Sequence, residues 1–178
     1  ESRHSRRFGN NNLSHRNENV NVYGLNLDMQ RIVKNHNIRF GLDGQFNTLK
    51  STANNENIAT GETEPLDTRY PDGDNTMLNA AAYISHTWNI NDHLILVDGL
   101  RVGFSTLHAE FSDSSFFHLP YNVADQNNPV YSGSLGLINN TSNDWKFSVL
   151  VSTGYRVPNM DDLSKVFESS LGALIVPN

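Results

Sequence analysis

The side chains with the widest chemical range in this sequence are seven histidines: His4, His15, His36, His86, His93, His108 and His118. A neutral imidazole is a common ligand of transition metals. Two such ligands share one face of a strand at a spacing of two, and one face of a helix at a spacing of four. No histidine pair here has either spacing, so no metal site is expected. His36 and His93 flank short polar stretches, where a solvated ring is the ordinary state. His108 and His118 fall at or within a longer polar stretch and are candidate ligand contacts. Arg101, between Gly99 and Gly103, and Arg156, after Gly154, are the other two candidates. Their plainer role is an ion pair with a carboxylate such as Asp43.

The usual catalytic frameworks are missing from the sequence. It contains no Gly-x-Ser-x-Gly, no His-Glu-x-x-His and no glycine-rich phosphate loop, the signatures that place a nucleophile, a zinc ion or a phosphate. No catalytic residue and no cofactor are therefore expected, and the chain is not read as an enzyme. Pro71-Asp72-Gly73-Asp74-Asn75 begins like an oxygen-rich calcium loop but lacks the later ligands and the closing Glu. It reads as a turn.

The elements that must position these residues are strands. The chain of 178 residues is 37% hydrophobic and 18% charged, a composition that can fold. Its net charge of -6 disfavours nucleic acid as a partner, because phosphate recognition needs a basic field. With no cysteine, disulfides and thiolate metal sites are excluded. No run approaches the roughly 20 apolar residues of a membrane-spanning helix. If the chain crosses a membrane, it does so as part of a closed barrel, the other structure that satisfies its backbone groups in lipid.

Period-two alternation is clearest over residues 36–48, where Ile38, Phe40, Leu42, Gly44 and Phe46 interleave with Arg39, Gly41, Asp43 and Gln45. One face of such a strand is apolar and the other polar. Residues 145–156 repeat it, with Phe147, Val149, Val151 and Tyr155 on one side and Ser148, Leu150, Ser152 and Arg156 on the other. Aromatics at the ends of an aliphatic centre suit a strand facing lipid. Runs at 94–111 and 130–138 follow the same rule, with Asp98 interrupting one apolar face. Those at 19–29 and 77–90 are less regular. The reading is all-β: an antiparallel meander of about six long strands.

The connections alternate in length. Short joins fall at 30–35, 91–93 and 139–144, and long polar ones at 49–76, 112–129 and beyond Pro158. Tight turns at one end and long loops at the other are the rhythm of an outer-membrane barrel. The runs are also closer to the roughly 9–11 residues of a tilted membrane strand than to the roughly 5–6 usual in soluble proteins.

Gly154-Tyr155-Arg156-Val157-Pro158-Asn159, followed by Asp161-Asp162-Leu163 and Lys165-Val166-Phe167, resembles the Phe-Arg-Ala-Pro box of TonB-dependent receptors. Tyr23-Gly24-Leu25-Asn26-Leu27-Asp28, Thr68-Arg69-Tyr70-Pro71-Asp72-Gly73 and Gly99-Leu100-Arg101 support it in the same order along the chain. The resemblance implies that residues 1–178 form part of such a receptor's barrel, without its plug domain and with the barrel incomplete. Tyr155, Arg156, Pro158 and Asn159 would be the family box. Outer-membrane lipid would surround the wall, and the TonB complex would act through the absent plug. The form of the box is most like that of haem and haemoprotein receptors, which implies an iron complex or haem as the ligand. Two other readings remain open on the residues alone. One is a soluble all-β binding module such as an adhesin or lectin-like sandwich; the other is a barrel hydrolase whose loop Ser, His and Asp residues converge.

Overall fold

A computed structural model of the chain describes residues 1–112, 122–141, 145–164, 166–169 and 172–175. Ten strands and one helical turn occur among them: β1 (Ser2–Arg6), β2 (Asn12–Val33), β3 (His36–Asn57), β4 (Thr63–Pro65), β5 (Asn75–Asn89), β6 (Leu94–Glu110), β7 (Val123–Asn140), β8 (Lys146–Ser152), α1 (Met160–Ser164), β9 (Val166–Ser169) and β10 (Gly172–Ile175). One antiparallel sheet runs β1-β2-β3-β5-β6-β7-β8, with β4 paired to β3 beside the main path. It is an unclosed meander. β9 and β10 pair as a separate hairpin.

The six runs read from the sequence are β2, β3, β5, β6, β7 and β8. β2, β3 and β7 run longer than expected, and β8 runs shorter. β2 and β3 each have 22 residues and stay paired from Asn12↔Asn57 down to Val33↔His36. At a rise of about 3.3 Å per residue such a strand is roughly 70 Å long, far more than a bilayer requires. The excess lies in 12–21 and 48–57, which are polar on both faces and so show no alternation. Backbone pairing carries the ladder there together with polar cross-strand contacts such as Ser14 Oγ to Asn55 Oδ1 at 2.6 Å. For the same reason β7 begins at Val123, inside the stretch expected to be a loop. β8 is shorter than expected and ends at Ser152, although the Thr153 amide still donates to Gly133 O at 2.8 Å.

Cross-strand register fixes the two faces. Tyr23, Leu25, Leu27 and Met29 of β2 lie opposite Phe46, Gly44, Leu42 and Phe40 of β3. Leu78, Ala80, Ala82 and Ile84 of β5 continue that face, then Phe104, Val102 and Leu100 of β6, then Tyr131 and Leu135 of β7 with Val151 of β8. Many of these are large exposed apolar side chains, Leu42 at 50% and Tyr131 at 75% among them. The buried strand residues Ser51, Asn75, Ala81, Ser105, Leu107, Ala109 and Val130 all lie on the other face. The apolar face therefore looks outward and the polar one inward. The apolar part of β2, residues 23–33, matches the length of a tilted membrane strand, about 9–11 residues. Val20 and Val22, out of phase in the sequence, are on the inward face.

At the short-turn end, β2 and β3 join through Lys34-Asn35, with Lys34 at a φ of 52°. Among the described residues no helix is long and apolar enough to cross a membrane.

Candidate functional site

The inward face carries the polar chemistry. Arg101 of β6 reaches across β5 to Asp43 of β3. Its Nη2 donates to Asp43 Oδ1 at 2.6 Å, and its Nη1 donates to Oδ2. The β5 residue opposite both Asp43 and Gly103 is Ala81, whose small side chain leaves the path open. This is the ion pair expected as the plainer role of Arg101. It is two-pronged and half-buried, the geometry in which an Arg–carboxylate contact is strongest and most directional.

Arg101 Nε also donates to the Tyr155 hydroxyl at 3.4 Å. Alternation had placed Tyr155 with Phe147, Val149 and Val151 on the outward face. Its hydroxyl instead lies with Arg101 on the inward one. The strand has already ended, and the residues from Thr153 onward no longer alternate between faces.

The other residues of the expected box form the entrance to α1. Asn159 Oδ1 accepts from the Asp162 amide at 3.0 Å, while Asp162 Oδ2 accepts from the Asn159 amide at 3.0 Å. The Asp162 amide also donates to Asn159 O at 3.1 Å, and the reciprocal exchange has the form of a capping box. Pro158, which has no N–H to leave unpaired, stands just before this cap. Arg156 Nη2 then donates to Asp162 Oδ1 at 2.5 Å. The Asn159 amide, and after it Arg156, hold the Asp162 carboxyl below its ordinary pKa. Asp162 had no assigned role in the sequence; an Asn followed three residues later by an acid was the available signal.

A loop between β4 and β5 lies over the same face. Arg16 of β2 donates from Nε to Asp67 O at 3.3 Å and from Nη2 to Asp67 Oδ1 at 3.2 Å. Pro71-Asp72-Gly73-Asp74 bends the chain into β5, which starts at Asn75. Asn75 Nδ2 donates to Pro71 O at 2.7 Å and to Gly73 O at 3.1 Å, and Asp72 Oδ1 accepts from the Ser112 amide. Tyr70 from this loop donates its hydroxyl to Asp161 Oδ1 at 2.6 Å, tying the loop to α1. Burial, and then the Asp161 carboxylate, push the phenol pKa from 10.0 up to about 12.

Beneath that contact is a cavity of about 490 Å³, lined by Glu18, Val20, Asn47, Tyr70, Met77 and Asp161 among others. A second, of about 470 Å³, lies against Asn26, Asp43, Gln45, Asn79 and Arg101. The box residues and Arg101 are thus brought together through Tyr155. His108 is not with them. It lies on the outward face, past the apolar band, with Nδ1 2.6 Å from Asp125 Oδ1. His118 is outside the described residues.

Comparison with known proteins agrees with this wall-like geometry. The model of the family "TonB dependent receptor-like, beta-barrel" matches residues 2–178. No curated protein matches the sequence significantly. Among solved structures, a protein titled "Copper transporter OprC" superposes with a TM-score of 0.71 at 13% identity, over 85% of this chain and 23% of its own. At that identity the likeness concerns the fold alone, and the chain spans about a quarter of the other protein's length. An apolar outward face, a polar inward face and a family match over nearly every residue lead to one statement: the chain belongs to the TonB-dependent receptor-like β-barrel family and is a stretch of barrel wall in the outer membrane.

Proposed function

We propose that residues 1–178 serve as wall and outer mouth of a receptor that imports a metal-bearing nutrient, using energy delivered by the TonB complex through the receptor's plug domain. The carrying observation is the cavity on the inward face, where Glu18, Asp161 and the Tyr70 hydroxyl sit beside Met77 and Met160. Carboxylates that converge on one cleft concentrate a negative field and raise the local concentration of cationic ligands. This supports a positively charged iron complex over haem, whose carboxylates the same field would repel. No side chain here is assigned a bond-making step. Binding at the mouth, rearrangement of the plug and passage along the inward face constitute the mechanism.

Uptake of labelled iron complexes of opposite charge into cells carrying the complete receptor tests this reading. The cationic complex should enter only when TonB is present. Asp161→Asn should weaken its binding roughly tenfold, the effect of losing one charge-assisted contact of about 1.5 kcal/mol. Uptake that persists without TonB would overturn the transport reading. Preference for haem or for an anionic complex would overturn the cargo.

A further inference from the structure

Two pairs of histidines meet across strands on the outward face. In the apolar band, His36 Nδ1 lies 2.9 Å from His86 Nε2, and His86 Nδ1 lies 2.9 Å from Asp98 Oδ1. Trp88 stacks on His36 with ring centroids 5.3 Å apart. Beyond the band the arrangement recurs. His4 Nδ1 of β1 lies 2.8 Å from His15 Nδ1 of β2, with the rings at 79°, and His15 Nε2 lies 2.9 Å from Glu56 Oε2 of β3.

The Glu56 contact decides the His15 tautomer. A carboxylate accepts only, so the His15 proton stands on Nε2, and the lone pair of Nδ1 points at His4. The two Nδ1 atoms are then separated by the distance between neighbouring ligands of one ion. For metal–nitrogen bonds of about 2.0–2.1 Å that separation is roughly 2.9 Å at a right angle and roughly 3.3 Å at a tetrahedral one. The shorter value suits the tetragonal coordination of copper(II) or nickel(II). An imidazole ligand whose far nitrogen donates to a carboxylate is the usual support of such a site.

Surroundings separate the two pairs. A divalent ion on two neutral imidazoles keeps its charge, and the single carboxylate beyond them leaves a net positive site. The His36 and His86 rings stand among Trp88, Ile84 and Leu96, where acyl chains would solvate that charge poorly. The His4 and His15 rings stand beside Asn17 and Asn54, with His4 exposed and His15 part-buried. Among the described residues no group of three His, Cys, Asp or Glu side chains is placed to hold a metal ion, so water would fill the remaining positions at His4 and His15.

We infer that His4 and His15 form an external site for a divalent transition-metal ion of the copper(II) type, with Glu56 as the positioning residue. The site is separate from the inward cavity, and its loss leaves the uptake reading standing. The test titrates the complete receptor in detergent with Cu²⁺ alone, followed by calorimetry and electron paramagnetic resonance. Wild type should hold an ion with two nitrogen donors that His15→Ala and His4→Gln both remove. Glu56→Gln should weaken it about 10–100-fold, the usual effect of removing an outer-shell partner. His86→Ala should change nothing. His4 sits on an edge strand, so its substitution leaves the ladder intact and keeps the test valid if another variant fails to fold. Equal copper binding by wild type and His4→Gln, absence of a two-nitrogen spectrum, or loss of the ion in His86→Ala would overturn the inference.

Discussion

Tyr70 joins two segments that are distant in sequence, and its titration reports whether they stay joined. The hydroxyl can donate to Asp161 only while it is protonated. Its folded pKa, about 12, lies above the ordinary 10.0, so folding favours the neutral phenol. By linkage, the contribution of this contact is complete below pH 10 and is lost as pH rises through about 12. Subtracting the ultraviolet titration of Tyr70→Phe from that of the complete wild-type receptor should reveal one tyrosinate forming near pH 12. A difference curve centred near pH 10 would show that the loop and α1 are not docked. The Arg101–Asp43 pair was open to reading at this scale, because an arginine and an aspartate each stood on a polar strand face. The histidine pairs were not. A search for spacings of two and four finds ligands on one element, whereas His4 meets His15, and His36 meets His86, through the register between strands.

Strands divide their residues by face, and the division can be tested with one charge placed twice. Leu42 lies at the centre of the outward apolar band of β3, and Gln45 on the inward face three residues later. A lysine facing lipid near the midplane costs about 2–4 kcal/mol, while one facing a watery interior changes stability little. Leu42→Lys should therefore lower the unfolding free energy of the complete receptor in vesicles by about 2–4 kcal/mol. Gln45→Lys should stay within about 1 kcal/mol. Equal costs in a urea titration would reject the assigned faces. Close approach constrains β3 as well: a Cβ on Gly41 would come within 2.6 Å of the Tyr83 hydroxyl and 2.1 Å of Leu27 O, so only glycine lets that ring lie across the strand. The outward face of 36–48 was legible because its alternation is uninterrupted. The upper halves of β2 and β3 were not, since their partners are polar side chains and the β4–β5 loop, which leave no apolar periodicity in the sequence. α1 and its cap were missed for a related reason. Its five residues are too few for a helical period, and only the Asn159–Asp162 spacing marks it.

Among the described residues the main sheet is not closed. Its order ends at β1 on one side and at β8 on the other, and each edge strand presents unpaired N–H and C=O groups. Its outward face exposes Tyr23, Leu25, Leu42, Leu100, Tyr131 and Val149 in one continuous surface, and large exposed apolar surfaces require a partner. Lipid can supply that partner for the face, but it cannot satisfy backbone groups at an edge. Further strands must close both sides. The 178 residues expressed alone should consequently form large assemblies in buffer without detergent, seen by light scattering and in the void volume on gel filtration. In micelles they should recover β circular dichroism and still associate through β1 and β8. A monomer that unfolds cooperatively in plain buffer would mean that the outward residues find cover within the chain itself, and the barrel-wall assignment would then fail along with the transport role that depends on it.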